Sequence, residues 1–229
     1  HTLESSERYG DTQEKKVFKA DFVITMPCLI AKTAFLLAIT LPFMEIGAQE
    51  ERRIDEEPGY FNHQDVYKAF NFSEGFWLHT QNFQRMKTSG RICTYFQIHG
   101  IDENGMNYSS HYLVNGTKLN MTYYGQFRTT PAVGNETRNN SNAFNASKTS
   151  ETWHPSDYRV IYSDFKSCVI LRVFDFPRMN GYACMVLVSD PPANTSMESE
   201  CERVYTLACN ITCITEQIYD DSCNKSDVV

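Results

Sequence analysis

From residue 75 onward the chain alternates short apolar or aromatic runs with turn residues. Runs rich in Tyr, Phe, Val, Ile and Thr cover 75–83, 91–99, 106–114, 118–127, 157–163, 167–174 and 182–189, and each reads as a strand. A weaker run between 142 and 154 is the candidate for an eighth. Asn104-Gly105, Asn115-Gly116 and Asn180-Gly181 lie between such runs. Asn-Gly readily takes the positive φ values that a two-residue hairpin turn needs. Consecutive hairpins at this spacing predict an all-β fold, an eight-stranded antiparallel up-and-down barrel. About eight strands enclose a space that side chains fill or one small ligand occupies. Helices are few: 65–70 is a short one before the first strand, and 197–210 is amphipathic and follows the last.

The N-terminal part has a different character. After Met26 and Lys32 an apolar run of about a dozen residues ends at Gly47-Ala48, which reads as a secretory signal over 26–48, too short to span a bilayer. Residues 1–25 then read as leader, and 49–229 as a single domain. Export fits the many Asn-x-Ser/Thr sequons: Asn71, Asn107, Asn115, Asn120, Asn135, Asn139, Asn145, Asn194, Asn210 and Asn224. Three of them fall in the polar stretch 134–151, which reads as solvent loop. The formal net charge of −7 argues against binding to nucleic-acid phosphates, which needs basic patches. No segment after the signal is apolar for long enough to span a membrane.

Seven of the eight cysteines follow the signal, which in an exported chain points to disulfides over metal ligation. Spacing alone leaves their pairing open. Cys213 is odd in number and is open between a buried thiol, a competitor for Cys209, and a bridge to a second copy in an otherwise monomeric protein. The histidines form no metal-binding spacing. No nucleophile elbow, phosphate loop or dinucleotide glycine pattern occurs. The expectation is a binding protein, not an enzyme, with no cofactor and no metal.

Several stretches resemble the salivary lipocalins of ticks, the histamine-binding protein family. They are Asp65-Val-Tyr-Lys68, then Asp157-Tyr-Arg-Val-Ile-Tyr-Ser-Asp164 before Cys168, then Gly181-Tyr-Ala-Cys184, and Cys201 with Cys209. Val66-Tyr-Lys-Ala-Phe70, Gly75-Phe-Trp77 and His79-Thr-Gln81 before Cys93 are also similar to its japanin-like branch. The resemblance spans 60–229. It implies a lipocalin barrel with the pairs Cys93–Cys223, Cys168–Cys201 and Cys184–Cys209. It also implies a salivary protein that sequesters a small ligand to modulate host inflammation or immunity. The other reading it leaves is action through the outer surface on a host immune protein or cell.

Strand alternation sharpens the ligand question. If Cys168 and Cys184 face outward, Val169, Leu171 and Val173 face inward, as do Met185 and Leu187. Amine-binding members of the family carry an acidic residue just after each of these cysteines, and this chain has Val169 and Met185 there. Histamine or serotonin capture therefore loses its expected counter-charges. A sterol, fatty acid or eicosanoid is the expected ligand. Its candidate contacts are Tyr67, Trp77, Phe96, Tyr108, Tyr112, Tyr123, Tyr158, Val160, Val169, Leu171, Met185 and Leu187. Trp77 is also the expected plug of the barrel floor. Arg172 shares the parity of Cys168 and is expected to face outward.

Overall fold

Asp65 starts the ordered path into the barrel: its carboxylate accepts a hydrogen bond from the Lys68 backbone N–H at 3.0 Å, capping helix α1 (Val66–Asn71). The computed structural model describes residues 52–84, 90–176, 179–190, 197–209 and 215–229. The expected leader and signal, Asn194, Asn210 and Cys213 lie outside the described residues. Two short 3-10 turns, Ile54–Glu56 and Pro58–His63, precede α1.

Eight strands follow: β1 (Gly75–Gln81), β2 (Arg91–Ile101), β3 (Gly105–Val114), β4 (Thr117–Arg128), β5 (Ala143–Lys148), β6 (Ser156–Ser163), β7 (Cys168–Val173) and β8 (Cys184–Ser189). From β2 to β8 each is the antiparallel neighbour of the next, and β1 pairs with both β8 and β2, closing the ring. This is the expected up-and-down lipocalin barrel, with the weak eighth run present as β5.

Asn115-Gly116 forms the expected two-residue turn between β3 and β4, and Asn180-Gly181 takes positive φ within the longer connection from β7 to β8. Asn115 and Gly116 have φ of 49° and 75°, and Asn180 and Gly181 have 49° and 80°. Asn104-Gly105 takes no positive φ. The side chain of Asp102 forms this turn, accepting hydrogen bonds from the N–H groups of Asn104 and Gly105. Gly105 instead opens β3, where a Cβ would sit 2.4 Å from the Gly125 carbonyl oxygen, so the glycine permits a close strand approach.

Closure between β1 and β2 is uneven. They pair only over Gly75–Trp77 and Tyr95–Gln97, then part. A short ninth strand, β9 (Glu216–Gln217), fills the gap by pairing with Thr80 and Gln81. The Cys93 N–H donates to the Ile218 carbonyl at 3.0 Å, and the Ile218 N–H donates to the His79 carbonyl at 3.0 Å. The tail beyond the late helix carries no periodic pattern long enough to predict this.

Helix α2 (Ser199–Ala208) buries Cys201, Val204, Tyr205 and Ala208, a spacing that lines one helical face. That face packs on the outward residues Ile161, Tyr162, Ile170 and Val186 of the barrel. Burial pushes the Tyr205 hydroxyl up to about 12. Disulfides Cys168–Cys201 and Cys184–Cys209 pin the helix there, and Cys93–Cys223 pins the tail. These are the three pairs that the family resemblance implies. Among the described residues, no helix is long and apolar enough to cross a membrane.

Candidate functional site: the barrel interior

The period-two alternation of the strands divides the side chains into an inner set and two outer sets. Ten of the twelve candidate contacts meet in the inner set: Val160, Val169, Leu171, Met185, Leu187 and Tyr108 are buried in it, and Tyr67, Phe96, Tyr123 and Tyr158 pack against it. Phe70, Phe76, Phe127 and Phe144 join them. Sequence reasoning did not single out these four phenylalanines, although Phe76 and Phe127 sit at inward parity within predicted strands.

Two candidates lie elsewhere. Tyr112 shares the inward parity of Tyr108 but sits toward the end of β3, outside the clustered inner set, with the Arg91 guanidinium 3.7 Å above its ring. Trp77 is on the outer wall, between the inward Phe76 and Leu78, and packs with Tyr95, Tyr219 and Val228 under the C-terminal tail. Its indole N–H donates to Asp190 at 3.3 Å. The same carboxylate accepts from the Tyr95 hydroxyl at 3.0 Å and from Lys225 at 2.9 Å. Trp77 is thus neither the plug of the floor nor a lining residue, but part of the anchor for helix α3 (Lys225–Val228). The strand parity of β1 decides this.

The expected hollow is filled by side chains. Phe76, Val160, Val169 and Val173 are 0% exposed and Leu171 and Leu187 are 2% exposed, which leaves no water-sized space against them. Aromatic pairs pack among them. Phe144 stacks on Tyr158 at 4.9 Å, Tyr108 on Tyr123 at 5.2 Å, and Phe70 meets both Phe76 and Phe144 edge-on. At the end opposite α1, Phe83 and Phe176 lie 4.1 Å apart and cap the interior. Two hollows, of about 280 and 220 Å³, lie at the rims: one between the end of α1 and Ile98–Ile101, the other under 136–142.

Charge is arranged around this interior and not through it. Among the described residues the buried Asp, Glu, Lys and Arg side chains are Asp55, Asp65 and Arg172. Asp65 caps α1. Arg172 faces outward as expected, yet it is fully buried between the first 3-10 turn and α2. Its Nε and Nη2 donate to Asp55 Oδ1 at 3.2 and 2.6 Å, and Nη1 donates to the Ala208 carbonyl at 2.9 Å. Burial works to raise the Asp55 carboxyl, but Arg172, followed by Arg53 and Arg159, outweighs it and holds the group below its ordinary value. Nothing in the pattern around Asp55 marks it for this role.

One carboxylate does reach the inner face. Glu216 is the register partner of Gln81, itself the partner of the inward Met185, and Ile218 two residues on belongs to the inner set. Glu216 is half-buried at the rim and accepts a hydrogen bond from Gln81 Nε2 at 2.9 Å. The expectation of an uncharged inner wall therefore holds at Val169 and Met185 but not at this rim. Among the described residues no group of three or more His, Cys, Asp or Glu is placed to hold a metal ion.

A family model described as tick histamine binding protein matches residues 54–225. No curated protein sequence matches the chain. Solved structures similar to it include AM182 in complex with serotonin (16% identity, covering 70% of this chain and 93% of that one, TM-score 0.49). Lobster apocrustacyanin A1 (11%, 69% and 82%, 0.49) and japanin from Rhipicephalus appendiculatus bound to cholesterol (11%, 68% and 98%, 0.47) are others.

Proposed function

Because the chain belongs to the tick histamine-binding protein family, we propose that it is a secreted container that takes up one small hydrophobic ligand and so dampens host inflammation or immunity. The observation that carries this reading is the inner wall. The positions after Cys168 and Cys184 hold Val169 and Met185, facing inward among aromatic rings, with no buried carboxylate beside them. A ligand must displace some of those rings. Each aromatic pair holds by only about 0.5–1.5 kcal/mol beyond its burial. A ligand that loses some 300 Å² of apolar surface gains roughly 7 kcal/mol at about 25 cal/mol per Å². Repacking in which the displaced rings stay buried against the ligand is therefore within reach of a sterol, fatty acid or eicosanoid.

Protein purified without denaturation should release a lipid on solvent extraction, identified by mass spectrometry. The stripped protein should bind a fluorescent sterol or fatty acid saturably, and histamine only weakly by calorimetry, since the inward acid found among the described residues is a rim glutamate already bonded to Gln81. An extract without lipid and a stripped protein that binds no hydrophobic probe would refute the container.

The filled interior favours a second reading, in which the barrel is a scaffold and the outer face engages a host immune protein or cell. In that case the empty protein alters dendritic cells with no probe bound. The sequons bear on which faces stay bare. Asn71, Asn107, Asn115, Asn120, Asn135, Asn139 and Asn224 are exposed. Asn145 is half-buried, and its side-chain oxygen accepts from Arg128 Nε at 2.9 Å. Glycopeptide mass spectrometry should find sugar on Asn107 and Asn120 and none on Asn145, because a glycan there would break that contact. Occupancy of Asn145 would contradict this placement.

A further inference from the structure

Three polar atoms on one side of the barrel are buried and have no hydrogen-bond partner among the described residues: Thr94 Oγ1, Ser110 Oγ and Gln81 Oε1. Their residues are 2, 2 and 4% exposed. All three face the interior. Ser110 is the register partner of Phe96 and follows Tyr108 by two positions, and both of those belong to the inner set. Thr94 lies between Cys93 and Tyr95, which pack on the outer wall, and precedes Phe96 by two. Diagonal neighbours on one face of a sheet sit roughly 7–8 Å apart, so one ligand atom can lie between Thr94 and Ser110. Gln81 pairs with the inward Met185, and its amide nitrogen is committed to Glu216, which leaves the amide oxygen as an acceptor.

Native interiors seldom leave a buried polar group unpaired. Two of them, Thr94 and Ser110, lie at diagonal positions on one face and mark the place of a missing partner. We propose that Thr94 and Ser110 form a polar subsite for the neutral hydroxyl of a hydrophobic alcohol such as a sterol. This rests on the container reading and names the ligand class for it. The two side-chain hydroxyls both donate and accept. A ligand hydroxyl satisfies them by accepting from one and donating to another. An ionised head group fits less well, because a buried charge needs a counter-charge. The inward acid Glu216 lies at the rim and already accepts a hydrogen bond from Gln81, and Arg91 lies over the Tyr112 ring.

The test is a fluorescence titration of the stripped full chain with dehydroergosterol and with its 3-deoxy analogue, for wild type and Thr94→Val/Ser110→Ala. Wild type should prefer the alcohol by about tenfold, a 1.4 kcal/mol difference. The double variant should lose that preference. Should the double variant prove unstable in thermal unfolding, Ser110→Ala alone, which removes one oxygen, should still narrow the preference. Equal binding of both sterols by wild type, or a preference unchanged in the variants, overturns the subsite and leaves the container standing. Tighter binding of cis-parinaric acid that falls in the double variant, with the sterols indifferent, overturns it in favour of a carboxylate ligand. Failure of every probe to bind wild type removes the container itself, and the subsite with it.

Discussion

Replacing Asp55 with alanine is expected to cost about 3–5 kcal/mol of stability, because it strands a buried guanidinium. Arg172 and Asp55 are both 0% exposed, and Oδ1 takes two of the hydrogen bonds that Arg172 donates. The pair is also a hub. Arg159 is the direct register partner of Arg172 across β6 and β7, an arrangement that repels unless an anion sits over both. Asp55 supplies that anion, with its Oδ2 at 3.5 Å from both Arg53 and Arg159. Urea unfolding of Asp55→Ala and of Asp55→Ala/Arg172→Met measures the effect. The double variant should recover most of the loss, since it removes both charges and leaves neither buried alone. A loss below about 1 kcal/mol in the single variant would mean that water reaches the guanidinium, which the burial forbids.

The same pair sets an acid limit. A carboxyl held below its ordinary value of 3.8 contributes stability that is fully present above that value and is lost as the pH falls through the lower folded one. Wild type should therefore weaken below about pH 4. Asp55→Asn, already weakened at neutral pH, should lack this part of the acid limb.

The second large effect concerns the tail. Cys93→Ser/Cys223→Ser opens a loop of 130 residues, and loop-closure entropy assigns that bond about 5 kcal/mol. The consequence should be local as well as global. Ile218 is packed in the interior, and β9 holds β1 and β2 together where they part, so a loosened tail exposes the core along a slit. The packing of Val228 and the Lys225–Asp190 ion pair must then hold α3, and an ion pair of this exposure contributes about 0–1 kcal/mol. Hydrogen exchange should show early loss of protection at Ile218 and Cys93, whose N–H groups bond across the slit. Unchanged protection there would show that packing, not the disulfide, holds β9.

Much of the architecture was legible in the residues because period-two alternation and turn chemistry are local. Seven strands, the Asn115-Gly116 turn and both main helices follow from runs a few residues long. The inward facing of Val169 and Met185 followed from the outward facing of the cysteines beside them, and the ten gathered candidates follow from the same parity. The cysteine pairing was not readable from spacing and came from the resemblance. Trp77 was misplaced because a Gly-Phe-Trp start suggested a plug, whereas parity with Phe76 and Leu78 turns it outward to meet Tyr219, far along the chain.

The amino-acid order by itself determined a closed antiparallel barrel with an apolar, aromatic inner wall, since hydrophobic patterning dictates which face of each strand leaves water. Only the tertiary structure decided that Asp55 answers Arg172 at a separation of 117 residues, that the tail enters the wall as β9, and that the rings fill the space they surround. Those are matters of which distant groups meet and how tightly they fit, and neither is written in the period of any one strand.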